Sequence, residues 1–352
     1  MSTPIASLNP RIVTPVKNRL NAPLSRYLTL LLVAVGASGL AAAPGRAATD
    51  AADFPNRAIR IILPTSAGSG VDITARTLAA KLTEAWGQQV VVDNRPGANG
   101  IIGMEALAKS KPDGYTLLQG FTSVLTINPY VYKSLPYDTF RDHAPITQTV
   151  SNTMVLVINP FLPARSVKEL VALGRSRPGD LIYSSAGIGN LTHLAGELLR
   201  VEAKIKTLHV PYKGETPAFT AVISGESAFM FSAALGVSPH IAAGKLRLLA
   251  TCGEKRASAF PDTPTMIESG FPKVVVTGWG GFLAPVGTAP EILQKIQRET
   301  ARVLFTPDIR ARLSSLGAEP VGSTPAQFAA FLKAEAGKWS GVTRDAGIYH
   351  SQ

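Results

Sequence analysis

The chain has 352 residues, of which 45% are apolar and 17% charged, and its formal charge is +11 at pH 7. That length exceeds what one hydrophobic core usually supports and predicts two domains, while the composition excludes a disordered chain. Cations and acids are interleaved without a run of five or six, and no aromatic-rich binding motif accompanies them, so nucleic acid is excluded as a partner and small anions suit the mildly basic surface.

Residues 1–47 carry Arg11, Lys17, Arg19, Arg26 and Arg46 and no acid. Arg19 and Arg26 precede an uncharged stretch from Tyr27 to Gly45, with YLTLLLVAVGASGLAAA at its centre, and Gly45-Arg46-Ala47 supplies a small-residue cleavage site. The order reads as a cleaved secretory signal peptide over 1–47. It reads less well as a membrane anchor, because the strongly apolar part is short and dissolves into Ala, Gly and Pro. No later segment is apolar enough to span a bilayer. The single cysteine, Cys252, allows no internal disulfide and is expected at a buried strand end in LRLLATCG.

Beyond the leader, apolar runs alternate with helical patterns, which predicts βαβ units, an α/β class and a mostly parallel sheet. AIRIILP reads as a buried strand. The following helix places Val71, Ala75, Leu78, Leu82 and Trp86 on one face and stops at Gly87. QVVVDNRPG, YTLLQGF and TMVLVINP are further strands, and Ser166 with Glu169 opens a helix as a capping box. LIYSSAGIGNLTHLAGELL repeats the strand, corner and helix pattern, and TLHVPYKG and LRLLATCG follow as strands. Near the C-terminus, Thr288, Thr306 and Thr324 each stand at a proline-containing helix start, and Gly317 marks a helix stop.

The two glycine corners are matched. Ser66-Ala67-Gly68-Ser69-Gly70 recurs as Ser185-Ala186-Gly187-Ile188-Gly189, each time between a strand and an amphipathic helix. A helix start leaves backbone N–H groups without partners and carries about half a positive charge, and glycines let a ligand approach that backbone. An anion is therefore one reading of each corner, and a plain tight turn is the other; two matched corners favour the anion. A dinucleotide cofactor is the competing ligand, since Gly68-x-Gly70 and Asp93 fit its fingerprint, but Ile73 stands where the third glycine belongs. No lysine follows the glycines as a phosphate-binding P-loop requires. There is no G-x-S-x-G elbow. Ser185 and His193 invite a nucleophile and base pairing, but no orienting acid is evident, and His193 is better read as fixing the loop by hydrogen bonding. Asp72 is likewise read as a brace for its corner. The histidines are scattered without metal-ligand spacing, so neither a metal nor a cofactor is expected.

These segments resemble the extracytoplasmic receptors of tripartite tricarboxylate transporters, also called Bug-type receptors. The resemblance covers about Phe54 to Ile348 and is carried by FPNRAIRIILPTSAGSGVDITAR, VVVDNRPGANGIIG, KPDGYTLL, INPYVYKSLPYD, SSAGIGNLTHLAGEL, HVPYKG, PHIAAGKLRLLA, FPDTPTMIESG and GAEPVGSTPAQF. It implies a two-lobed periplasmic binding protein fold, type II-like, with mixed sheets flanked by helices and two crossover strands, near Thr147–Thr153 and Val276–Gly280. Lobe 1 would be 48–150 with 277–352, and lobe 2 would be 151–276. The implied protein is a periplasmic monomer and not an enzyme. It would capture a small carboxylate in the inter-lobe cleft and deliver it to the transporter's membrane subunits. Alternatives are an exported hydrolase using the same cleft, or a ligand-sensing partner of a sensor kinase.

Carried over residue by residue, the ligand-binding set is Ser66, Ala67, Gly68, Ser69, Gly70 and Asp72 from the first corner, Thr122 and Ser123 from GFTSVLTINP, Ser185, Gly187, Gly189, Asn190 and His193 from the second corner, and Ser232. Two departures stand out. Ser232 and Ala228 occupy positions where the family often has Asp, which removes a counter-ion for amine-bearing ligands. Ser69 replaces a second consecutive glycine and narrows backbone approach. The expected grip is made by backbone amides, with no lysine or arginine in the corners.

Overall fold

A computed structural model describes residues 53–345 and 347–352, so the leader expected over 1–47 lies outside the described residues. The elements run β1 (Ile59–Leu63), α1 (Gly70–Trp86), β2 (Val90–Asn94), α2 (Ile101–Ala108), β3 (Thr116–Phe121), α3 (Asn128–Val131) and β4 (His143–Ile158). They continue with α4 (Val167–Ser176), β5 (Leu181–Ser185), α5 (Leu191–Ala203), β6 (Thr207–Pro211), α6 (Glu215–Ser224), β7 (Phe229–Ala233), α7 (Ala234–Ala242) and β8 (Arg247–Thr251). The last are β9 (Thr277–Pro285), α8 (Pro290–Leu304), α9 (Pro307–Ser315), β10 (Ala318–Pro320) and α10 (Pro325–Asp345). Among the described residues no helix is long and apolar enough to cross a membrane.

The strands form one path, β2-β1-β3-β9-β4-β7-β5-β6, with β8 and β10 also paired to β4. β4 belongs to both halves of that path. Its residues up to Thr153 pair with β9, and Met154 onward pair with β7. Within the first half β1 runs parallel to β2 and β3, and within the second β5 runs parallel to β6 and β7. The pairings of β9 with β3 and β4, and of β4 with β7, β8 and β10, are antiparallel. The mostly parallel sheet that the alternation predicts is therefore mixed, because β4 and β9 return the chain between halves without a helical crossover.

Each half has its own core. Ile59, Ile61, Leu78, Leu82, Leu117 and Phe282 pack together in the first half; Leu156, Ile158, Tyr183, Leu194, Leu199 and Phe231 do so in the second. Ala75, Leu78 and Leu82 are buried as the helical spacing requires, and Gly87 ends α1 in the left-handed region at φ 63°. Ser166 caps α4 through Glu169 N, and Glu169 reaches back to Arg165 N, one residue before the cap. Thr324 and Gln327 form the corresponding box at α10. Thr288 does not cap α8: its hydroxyl donates to Pro285 O, and Ala289 is the cap residue. Trp339 of α10 is buried among second-half residues such as Leu156 and Tyr183, so the C-terminal helix serves both halves. Cys252 is fully buried just after β8, and burial pushes its thiol pKa up.

Candidate functional site

In a parallel sheet the strand C-termini converge on one edge, and ligands bind beyond that edge. Here β1, β3, β5, β6 and β7 end beside a cavity of about 70 Å³, room for several water molecules. The first half contributes Thr65, Val71, Asn99, Phe121, Thr122, Ser123 and Trp279 to its wall. The second half contributes Asn190, Leu191, Thr192, Lys213, Glu215 and Ala233, and β4 adds Asn152 and Met154 between them.

Of the residues expected at the site, Thr122, Ser123 and Asn190 line this cavity. Ser66 and Ala67 line a shallower groove beside Thr216 and Pro217. Gly68, Ser69, Gly70, Asp72, Ser185, Gly187, Gly189, His193 and Ser232 are not among the residues lining either. They frame the corners. Asp72 accepts from Gly68 N (2.9 Å), Asn94 Nδ2 (2.9 Å) and Arg76 Nε, while Ser69 Oγ caps α1 by accepting from Asp72 N at 3.2 Å. Gly189 N donates to His193 Nδ1 at 3.2 Å, so His193 fixes its loop.

Several of the corner amides that the sequence leaves open for an anion have partners within the protein. Gly70 N, at the start of α1, donates to Glu215 Oε2 at 3.1 Å across 145 residues of sequence. At the second corner Leu191 N donates to Ser123 Oγ (3.0 Å), Thr192 N to Asn190 Oδ1 (3.1 Å) and Ala186 N to Thr192 Oγ1 (2.9 Å). Each corner thus bonds to the opposite half. Thr216 Oγ1 donates to Ala67 O (2.6 Å), and Asn190 Nδ2 donates to Asn99 Oδ1 (3.0 Å). The helix end at the first corner does hold a carboxylate, but it is the protein's own.

Two further expectations change. The sequence implies the loss of a carboxylate at Ser232, yet its hydroxyl donates to Glu215 Oε1 at 2.7 Å, and Ala233 N donates to the same oxygen at 2.8 Å. A cation is also present: Lys213 lines the cavity from the loop before α6. Sequence reasoning missed both. HVPYKGE places a lysine and a glutamate at a helix start, where an acid ordinarily complements the dipole, and nothing local links them to a corner far away in the chain.

Ser185 pairs with His209 rather than His193. Its Oγ lies 2.6 Å from His209 Nε2, and the His209 ring stacks on His193 (4.1 Å between centroids) and Tyr183 (4.7 Å). Burial, then the neighbouring His193, pushes the His209 pKa down to about 4, and burial lowers that of His193. Burial pushes Glu197 up, but hydrogen bonds from Arg200 and Tyr183 outweigh it and hold its carboxyl below the ordinary value. Ser185 itself is fully buried. Among the described residues no cluster of three or more His, Cys, Asp or Glu could hold a metal ion.

The model of the tripartite tricarboxylate transporter family receptor matches residues 74–348. The chain belongs to this receptor family. BugT of Bordetella pertussis is 36% identical over 325 residues, 92% of this chain and 98% of that one. Among solved receptor structures, an R. palustris protein with adipate is 32% identical with a TM-score of 0.82, covering 84% of this chain and 99% of that one. The periplasmic binding protein BugD is 30% identical with a TM-score of 0.81 over the same shares. The receptor fold, two halves joined by β4 and β9, is shared with these proteins.

Proposed function

We propose that this receptor is exported to the periplasm behind a cleaved leader over 1–47 and captures a small carboxylate there. The solute would be a di- or tricarboxylate or a related organic acid, delivered to the membrane subunits of a tripartite tricarboxylate-type transporter. The carrying observation is the cavity itself, walled by hydroxyl and amide groups of both halves, in a fold shared with a relative that has adipate. The halves act as lobes, 48–150 with 277–352 and 151–276, hinged through β4 and β9 and closing over the solute as a monomer. Thr122, Ser123 and Asn190 contact it. The remaining corner residues hold the loops in place.

Charge-assisted hydrogen bonds contribute roughly 1.5–3 kcal/mol each, so a handful covers the ~8 kcal/mol of micromolar binding after ordering costs. Isothermal titration of the purified protein against mono-, di- and tricarboxylates is the test. Micromolar binding of at least one is expected, and heat from none refutes the reading. The short Ser185–His209 contact favours a second reading, an exported hydrolase. The fully buried Ser185 lies outside the cavity, which supports the receptor instead. Turnover of an ester or amide, lost in Ser185→Ala while the fold persists, would reverse that judgement.

A further inference from the structure

Glu215 is an unusual wall for an anion receptor. Its side chain is buried (7% exposed), it lines the cavity, and the ends of three helices meet on it. Gly70 N opens α1, Ala233 N belongs to the cap residue of α7, and Glu215 itself opens α6. With Ser232 Oγ these N–H groups give its two oxygens three donors, and no lysine, arginine or histidine among the described residues forms an ion pair with it. Converging positive helix ends stabilise a carboxylate where it lies, so it is a fixed acceptor. A carboxylate offers about four lone-pair positions, which leaves one on Oε2 unspent.

A second group in the wall has the same need. Asn152 is 3% exposed, and its Oδ1 has no hydrogen-bond partner. The cavity therefore holds unspent acceptors together with one cation, Lys213, an exposed side chain without an ion pair among the described residues.

We propose that Glu215 sets the receptor's specificity: the end of the solute against it must be a hydrogen-bond donor, a hydroxyl or an ammonium, and not a second carboxylate. The solute's single carboxylate then faces Lys213 and the α5 end of the cavity. This rests on the carboxylate reading above and narrows it to the related organic acids that carry one carboxylate, setting aside the di- and tricarboxylates. A second carboxylate would meet a like charge across a confined cavity, and it has no proton to offer the open lone pair.

The test titrates the purified protein with succinate, glutarate and adipate. Each is compared with the ω-hydroxy and ω-amino acids in which one terminal carboxylate is replaced. The better donor-ended acid of the best-binding length should bind at least about tenfold tighter than its dicarboxylate. In Glu215→Gln that gap should shrink to within about threefold; in Lys213→Gln all affinities should fall while the gap persists. Equal or tighter binding of the dicarboxylate by the unaltered protein overturns the proposal and leaves the carboxylate reading standing, and this comparison needs no variant to fold. Heat from none of the nine acids overturns the proposal, and the wider panel of mono-, di- and tricarboxylates then decides whether the carboxylate reading falls with it.

Discussion

Acidification from pH 7.5 to 4.5 should weaken the fold through His209. The ring is partly buried against His193 and Tyr183, with Glu197 and Arg200 joined to the stack through the Tyr183 hydroxyl, and its pKa falls from 6.5 to about 4. In the unfolded chain the imidazole takes up a proton below about 6.5, while the folded chain refuses it until about pH 4. The stabilising contribution is therefore complete above pH 6.5 and is lost as the pH falls towards 4. Each pH unit in that window costs at most about 1.4 kcal/mol, and because the ring is partly solvated a total of about 1–2 kcal/mol is the working figure. Urea unfolding at pH 7.5, 6.5, 5.5 and 4.5 of the wild type and of His209→Gln measures it. Glutamine can keep the Ser185 bond and does not titrate, so its stability should decline less steeply between pH 6.5 and 4.5, by that amount. Carboxylates such as Glu197 also lose their contribution on acidification, but they do so in both proteins and cancel in the difference. Parallel pH profiles would refute the reasoning.

Two other outcomes are expected. Ser123→Ala leaves Leu191 N without its acceptor across the two halves, and because cavity water can replace the hydroxyl the cost should sit near ~1 kcal/mol, the low end for a buried donor; an unchanged urea midpoint would count against that bond. Gly196→Ala would drive a Cβ into Tyr183 Cε2, displacing the ring on which His193 and His209 stack, so a loss of about 1–3 kcal/mol should appear in thermal unfolding, and none would show that the ring yields freely.

The local features were legible because their causes are local. Three- and four-residue spacing placed Ala75, Leu78 and Leu82 in the core, Gly87 and Ser166 punctuated their helices, and the glycine corners stood between a strand and a helix as read. What escaped was every partnership set by topology. Whether the Gly70 amide is open depends on Glu215, which the chain brings back only after β4, α4, β5, α5 and β6. Ser185 found His209, on the adjacent parallel strand two residues before its register partner Pro211, instead of His193, eight residues onward in the first turn of α5. Thr288 shows the same limit on a smaller scale: a threonine before a proline can cap a helix or close a turn, and Pro285 O decided for the turn.

The way β4 is shared has a consequence for how the gene can change. Side chains alternate faces along a strand, so removing one residue turns over everything beyond the deletion. A single-codon deletion at Thr153 or Met154 would leave the β9 register intact while presenting the buried side of Leu156 and Ile158 to the wrong layer. Losing two adjacent codons would preserve the alternation and only shorten the span. Length variation among descendants of this chain should accordingly collect in the connections after Pro160 and between Thr251 and Thr277, and spare the strand itself.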